Sequence, residues 1–401
     1  MTLTTLEGVK VLDFGHYFAG PYASRLLADL GADVIKLEPL EGDLLRPTVK
    51  PFNGAQRGKR SIAADLKHPR GQEIGHRIAA WADVASHNLR PGVAERLTMD
   101  YESLRAINPQ IIYAYAPGWG STGPDAGLPG FAPLFSGYVG LHHEAAGSAN
   151  VPVAPVGNED NGNGLLGATA ILMALYHRKR TGEGQYLEHP QLNATLLMAM
   201  HLMRRADGSV AGSVGLDHDR RGGDPLDRLY RTADGWICLS ARTDDEFARL
   251  AGMAGLECLA SDTRFADAAT RAEHRSALGD VIAQVVGTAT TGVWADAFEA
   301  AGVAAEVPTG VEGPRRFFDD PEHRRDGRVE EYEHPRWGRT RDVAVMVRLS
   351  DAKSRPGRPA PEIGQHTREI LGEMGYDDAA IDDFKARDVV TWPGDDYRYP
   401  V

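Results

Sequence analysis

Apolar residues recur in short runs through the first third of the chain. Val9, Val11, Leu12 and Phe14 form one, Val34 to Leu37 a second, Ala82 to Ser86 a third, and Ile111 to Ala116 a fourth. Between the first two, Tyr22 to Leu30 spaces its apolar residues as an amphipathic helix does, and Gly31 is its stop signal. Residues 8 to 38 thus predict a strand, helix and parallel strand with a right-handed crossover. The stretch GKRSIAADLKHPRG, residues 58 to 71, predicts another strand feeding a helix that starts near Pro69. The strands end in Gly, Pro and Asn loops, and this alternation predicts an α/β fold with an open, doubly wound parallel sheet. In such a sheet the turn from His16 to Pro21 is where a ligand would sit.

Past residue 150 the period changes. Leu165, Ala168, Leu172 and Leu175 stand at helical spacing, which predicts a helix from about Gly164 to Arg180. Asn163 is its expected N-cap, and Gly182 its expected stop, with cations in the last turn. Gln191 to Met203 continues as a Leu- and Met-rich helix. Residues 204 to 224 are polar, Gly-rich and without period, so they read as a linker or mobile loop. A hairpin around Ala233-Asp234-Gly235 is expected over 226 to 241. It is followed by mostly helical sequence over 244 to 302 and a short strand from Ala304 to Pro308. Residues 225 to 330 thus form a smaller α+β domain. Glu331 to Leu349 returns to strand and turn, and Gly364 to Val390 to a helical tail.

Composition narrows the functional classes. The chain has 401 residues, 42% of them hydrophobic and 25% charged, and its formal net charge is −12. These are the values of a soluble globular protein with ample core. No apolar run is long enough to span a bilayer, and the first residues do not read as a signal peptide. An acidic balance argues against nucleic acid as a partner. Two cysteines, Cys238 and Cys258, cannot make a disulfide framework, and a cytosolic setting is the expectation. The three-glycine dinucleotide fingerprint, a Walker A loop, a Gly-x-Ser-x-Gly elbow and a metal-spaced Cys/His set are all missing, so no metal is expected.

Two groups of residues can carry chemistry. Lys59, Arg60, Lys67, Arg90 and Arg96 fall on or just past the sheet-edge loops, where together they could clamp phosphates. Glu159 and Asp160 sit in an Asn/Gly turn just before the helix, whose free N–H groups favour a carboxylate there. Asp160 is the candidate nucleophile. The residues alone leave open that the pair only caps and solvates the helix start.

Several long colinear blocks resemble the family III CoA-transferases of the CaiB/BaiF type. These include GVKVLDFGHYFAGPYASRLLADLGADVIKLEP, GKRSIAADLKHPRG, HNLRPGVAERLTMDYESLRAINPQIIYAYAPGWGSTGP, Asp160 with Gly164, RTGEGQ, YRTADGWICL and RPAPEIGQHTREIL. The group takes in formyl-CoA:oxalate and carnitine CoA-transferases and the α-methylacyl-CoA racemases. The resemblance implies a large Rossmann-like domain built from residues 1 to 203 and 331 to 401. It also implies an interlocked homodimer, with acyl-CoA and a carboxylic acid as partners. Asp160 matches the family's nucleophile, which forms an aspartyl anhydride and then an aspartyl-CoA thioester. Coenzyme A positions carry over to Tyr17, Phe18, Ala19, Ala64, Lys67, Asn88, Leu89, Arg96 and Leu97. Phe18 and Pro39 replace a Gln and an Arg of the oxalate enzyme, which puts oxalate specificity in doubt.

The racemase branch adds a His in a Gly-His-Asp context about thirty residues before the aspartate. Here the matching residues are Gly130-Phe131-Ala132, so two-base proton exchange lacks its partner. His142 or His143 could stand in only after rearrangement. An isomerase moving CoA within one dicarboxylate, and a non-catalytic CoA-binding protein, are the alternatives. Phe131, Phe135, Tyr138, His142 and His143 are expected at the acyl pocket, which suggests an acid bulkier than oxalate.

Overall fold

A computed structural model describes residues 4–154, 159–213, 215–310, 313–334, 337–345, 347, 349–352, 354 and 358–393. In chain order the first half contains β1 (Lys10–Asp13), α1 (Ala19–Asp29), β2 (Asp33–Glu38), α2 (Val49–Gln56), β3 (Arg60–Ala64) and α3 (Pro69–Trp81). Then come β4 (Val84–His87), α4 (Val93–Arg96), α5 (Tyr101–Ile107), β5 (Ile112–Tyr115), α6 (Ala132–Tyr138) and α7 (Leu141–Glu144). The long α8 (Glu159–Thr181), β6 (Gln185–Glu188) and α9 (Gln191–Met198) complete it.

The chain forms two compact units. Met1–Val139, Val156–Met200 and Phe317–Val401 make the first, and Gly140–Pro155 with His201–Arg316 the second. The expected βαβ alternation holds within the first unit. Its seven-stranded sheet runs β15-β3-β2-β1-β4-β5-β6 and is parallel except at β15 (Val390–Thr391), which lies antiparallel on β3. Successive side chains point to opposite faces, so each strand feeds two cores. Val11, Val34, Val84 and Ile112 face Leu27 of α1 and Ile171 of α8. Leu12, Ile35, Ala85 and Tyr113 face Ile74 and Ile78 of α3, with Ile370 and Phe384 from the chain's end.

The second unit contains β7 (Met203–Arg204), β8 (Val210–Ala211), β9 (Gly222–Asp224), β10 (Asp227–Arg231) and β11 (Trp236–Ser240). It goes on through α10 (Asp244–Ala251), α11 (Cys258–Ser261), α12 (Ala268–Glu273), α13 (Arg275–Val286), α14 (Thr291–Ala301) and β12 (Ala304–Glu306). The expected hairpin is the β10–β11 pair, closed where the Thr232 amide donates to the Gly235 carbonyl. The patternless stretch 204 to 224 is not structureless. It contains the β7–β8 hairpin and the edge strand β9, which carry too few apolar residues to show a period. The chain then returns through α15 (Gly313–Asp319), α16 (Pro321–Arg325), β13 (Val329–His334), β14 (Gly338–Val343), α17 (Thr367–Glu373) and α18 (Asp378–Ala386).

Helix α8 departs most from expectation. It starts at Glu159, five residues earlier than the leucine pattern indicates, so Asn163 is not its cap but a buried residue of its second turn. Its buried face is Gly164, Gly167, Ala168, Ile171 and Ala174, while Leu165 and Leu172 are exposed. Close approach decides this. A Cβ on Gly164 would lie 2.3 Å from the Tyr22 ring of α1, and one on Gly167 would lie 2.4 Å from the His189 ring. Only small residues allow that packing, so the large ones turn outward. No helix among the described residues is long and apolar enough to cross a membrane.

Candidate active site

Strand β1 lies between β2 and β4, so the strand order reverses there. The loops after β1 and β4 open the crevice that ligands use in such sheets. The Gly15–Pro21 loop is held almost atom by atom. The Gly15 amide donates to Asp13 Oδ1 at 3.0 Å, and its carbonyl accepts from Lys36 Nζ at 2.9 Å. Asn88, just past β4, takes the His16 amide at 2.8 Å and donates to the His16 carbonyl at 2.7 Å. Asp43 accepts the Tyr17 amide, and Lys59 Nζ donates to the Pro21 carbonyl at 2.7 Å. Lys36 and Lys59 are fully buried, paired with Asp43 at 2.7 Å and Asp13 at 2.6 Å. Burial pushes the Lys59 ammonium down to about 8 despite the opposing charge of Asp13, and the positive charge of Lys36 adds to the shift.

Beside this loop is a cleft of about 600 Å³ lined by Phe14, His16, Ala64, Lys67, Leu89, Arg96 and Leu97 among others. Five of the nine carried-over coenzyme positions therefore share one cavity. Tyr17, Phe18 and Ala19 belong to the adjoining loop instead, which Asn88 braces, with Phe18 stacked on Tyr22 at 5.1 Å. Pro39 is part of the cleft wall. The expected phosphate clamp divides. Lys67 and Arg96 line the cleft, exposed, without an ion pair among the described residues. Arg90 is exposed but outside the lining. Lys59 and Arg60 are not available: Lys59 serves Asp13, and Arg60 is consumed by Asp33, Glu369 and Glu373. Polar side chains at strand starts were needed for buried pairing, which spacing alone does not reveal.

Phe14 of the cleft lining is backed by buried His87. Its ring is stacked between Phe14 and Tyr115 at 4.7 and 4.6 Å. Nδ1 accepts the Leu89 amide, which leaves the proton on Nε2, where the Tyr113 hydroxyl accepts it and donates onward to the Met99 carbonyl. Burial pushes this imidazole down to about 3.

Asp160 lies in the first turn of α8, part-buried, with Oδ1 accepting from Gln191 Nε2 at 3.0 Å. Gln191 is itself set in place, because the amides of Gln191 and Leu192 donate to the Pro117 and Gly118 carbonyls after β5. One turn along α8, Asn163 donates to the His189 carbonyl at 2.8 Å and faces His189 Nδ1 at 3.2 Å, locking the β6–α9 corner to the helix. Burial first, and the Glu159 charge second, push the Asp160 carboxyl up to about 6, while Gln191 works the other way. Glu159 is sealed at 2% exposure and accepts a hydrogen bond from the Ser136 hydroxyl of α6. Of the two acids, Asp160 is the more exposed. Tyr17 meets Phe131 ring edge to face at 5.9 Å.

The sequence reading missed Gln191, His189 and Ser136, and gave Asn163 another role. The Asn163 and Gln191 spacings carry no motif, and their signal is tertiary. His142 and His143 fall on α7 in the second unit. Among the described residues no group of three or more His, Cys, Asp or Glu side chains is placed to hold a metal ion.

Comparisons to known proteins place the fold in a family. Residues 6–367 match the family model described as CoA-transferase family III. The chain is 32% identical over 402 residues to Homo sapiens succinyl-CoA:glutarate CoA-transferase, covering 96% of this chain and 90% of that one. It is 31% identical over 390 residues to the succinate–glutarate CoA-transferase of Agrobacterium fabrum, covering 92% and 95%. Among solved structures, a CaiB/BaiF family protein from Brucella suis superposes with a TM-score of 0.78 at 29% identity, covering 93% of this chain and all of that one. The chain therefore belongs to CoA-transferase family III and is an acyl-CoA:carboxylate CoA-transferase.

Proposed function

We propose that this enzyme carries CoA between two dicarboxylic acids, with succinyl-CoA as a donor, and that Asp160 is the group acylated. The observation that carries the reading is Asp160 itself, a reachable carboxylate made basic by burial and aimed by Gln191 at a helix start. Its relatives are named for succinyl-CoA and for glutarate or malate. In the scheme, an Asp160 oxygen attacks the thioester carbonyl carbon and the C–S bond breaks, giving an aspartyl anhydride and CoA thiolate. The thiolate then attacks the Asp160 acyl carbon and the donor acid departs, leaving an aspartyl-CoA thioester. The acceptor carboxylate runs the two steps in reverse. Backbone amides of the Gly-rich loop 117–124 are the proposed donors to the oxyanions.

The cleft suits coenzyme A, with apolar walls at Phe14, Leu89 and Leu97 and cations at Lys67 and Arg96. Tyr17, Phe18, Ala19, Ala64 and Asn88 complete the proposed contacts. Exposed apolar side chains on α8 and α9, including Leu172, Met173, Tyr176, Leu196 and Leu197, support a homodimer, interlocked as the family resemblance implies. The unpaired Cys238 and Cys258 suit a cytosolic setting.

The test is incubation with a panel of acyl-CoAs, a hydroxylamine quench and peptide mapping. A hydroxamate on the Asp160 peptide with succinyl-CoA, absent in Asp160→Ala, is expected. No adduct with any donor would overturn the covalent scheme, and an adduct only with formyl- or oxalyl-CoA would overturn the dicarboxylate assignment.

A further inference from the structure

Glu159 has no part in the scheme above, yet it is an expensive residue to keep. Its Oε1 accepts from Ser136, its buried Oε2 meets no hydrogen-bond partner, and no cation is among the groups that shift Asp160. A carboxylate sealed against one hydroxyl is costly to bury, and a Gln of the same shape would meet Ser136 without the charge. The first turn of α8 carries the two acids on consecutive residues, one sealed and one partly exposed.

We propose that Glu159 acts as a fixed negative charge that drives Asp160 out of its free carboxylate form and into its acylated forms. This rests on Asp160 being the group acylated. In the resting enzyme two carboxylates repel each other where water screens them little. When the Asp160 oxygen bonds to the thioester carbon, the C–S electron pair leaves with sulfur and the Asp160 side chain becomes neutral. It stays neutral when the thiolate displaces the donor acid, which carries the charge away. Repulsion thus burdens the starting state and is relieved in both intermediates, so its effect is differential, as acceleration requires. The direction of the Asp160 shift agrees, with Glu159 its second cause. The other groups facing the pair are Ser136 and the Gln191 amide, with neutral His189 beside Asn163 one turn along. Glu159 acts through Asp160 and touches no substrate.

The experiment compares parent, Glu159→Gln and Ser136→Ala in the full chain, with succinyl-CoA as donor. It reads the pH profile of kcat/KM and the fraction of enzyme trapped as Asp160 hydroxamate. For Glu159→Gln the acid limb is expected to move down by about one pH unit, since a neighbouring negative charge is gone. The trapped fraction should fall several-fold, with KM for the acyl-CoA little changed. Ser136→Ala removes the hydroxyl that supports the charge and should move both readouts the same way; it decides the matter if Glu159→Gln does not fold. An unmoved acid limb with an equal trapped fraction in a folded variant would make Glu159 a packing residue and overturn the proposal. No hydroxamate on Asp160 in the parent would instead overturn the scheme beneath it.

Discussion

The amide of Tyr17, held at φ 60°, donates to Oδ1 of Asp43 at 3.1 Å, while Asp43 Oδ2 faces the buried Lys36 ammonium at 2.7 Å. A left-handed backbone costs a residue with a Cβ roughly 1–2 kcal/mol, so the surroundings must enforce it. Asp43→Asn keeps an acceptor for Tyr17 but leaves Lys36 without its anion. It should lose about 3 kcal/mol or more of unfolding free energy in urea, with KM for acyl-CoA changing a few-fold. Asp43→Ala also removes the acceptor, and KM should rise roughly tenfold further as the loop relaxes.

Gln191→Ala removes the hydrogen bond that favours ionised Asp160. Such bonds to charged groups contribute about 1.5–3 kcal/mol, and one pH unit corresponds to about 1.4 kcal/mol. The acid limb of kcat/KM should therefore move up by about one unit, opposite to Glu159→Gln, and kcat should fall about tenfold. An unmoved limb would show that Gln191 does not act on Asp160.

Asp160 should also cost the fold stability. Its carboxyl titrates near 3.8 when unfolded and about 6 when folded, so between these values the folded chain binds more protons. Stability contributed by this group falls as pH rises through that window. Asp160→Asn should be more stable than the parent by roughly 2 kcal/mol at pH 8, after discounting for partial exposure, with the gap closing toward pH 4. Chemical denaturation at several pH values measures it.

His87 has the opposite sign. Folded, its imidazole titrates near 3, and unfolded near 6.5, so the unfolded chain binds the proton first as pH drops. Its stability contribution is complete above pH 6.5 and drains away below it. The parent should lose roughly 2 kcal/mol from this group between pH 6.5 and 5. His87→Phe should be weaker at pH 8, having lost the Leu89 and Tyr113 hydrogen bonds, but flatter across that range.

Gly167→Ala tests how α8 is set. The new Cβ would press on the His189 ring, displacing the corner that carries Gln191. Overpacking of this kind costs about 1–3 kcal/mol, more than the helix gains from losing a glycine. Lower unfolding free energy and lower kcat are expected, with acyl-CoA KM nearly constant because the cleft lies on other loops.

The strands of the large sheet and the hairpin at Asp234 were legible in the sequence because local pattern dictates them. Runs such as Val34 to Leu37 can only be buried strands between turn residues, and Gly31 and Gly182 stop their helices at φ 105° and 79° as their place in the pattern indicates. Asp160 stood out as a candidate through the apolar helix beside it and through resemblance, although it lies inside the first turn of α8 and not before the helix as expected. What α8 buries was not, because the packing partner, Tyr22, is about 140 positions away and selects glycines over leucines. Nor could the sequence assign Lys59 and Arg60 to buried pairs while leaving Lys67 and Arg96 at the cleft. Burial converts a cation from ligand-binding group to structural counter-charge, and burial belongs to the assembled sheet. The Gln191 contact and the sealing of Glu159 arise where the ends of β5 and β6, α6 and α8 converge. Sequence set which residues were available there; the tertiary fold decided which carboxylate is sealed and which stays partly exposed.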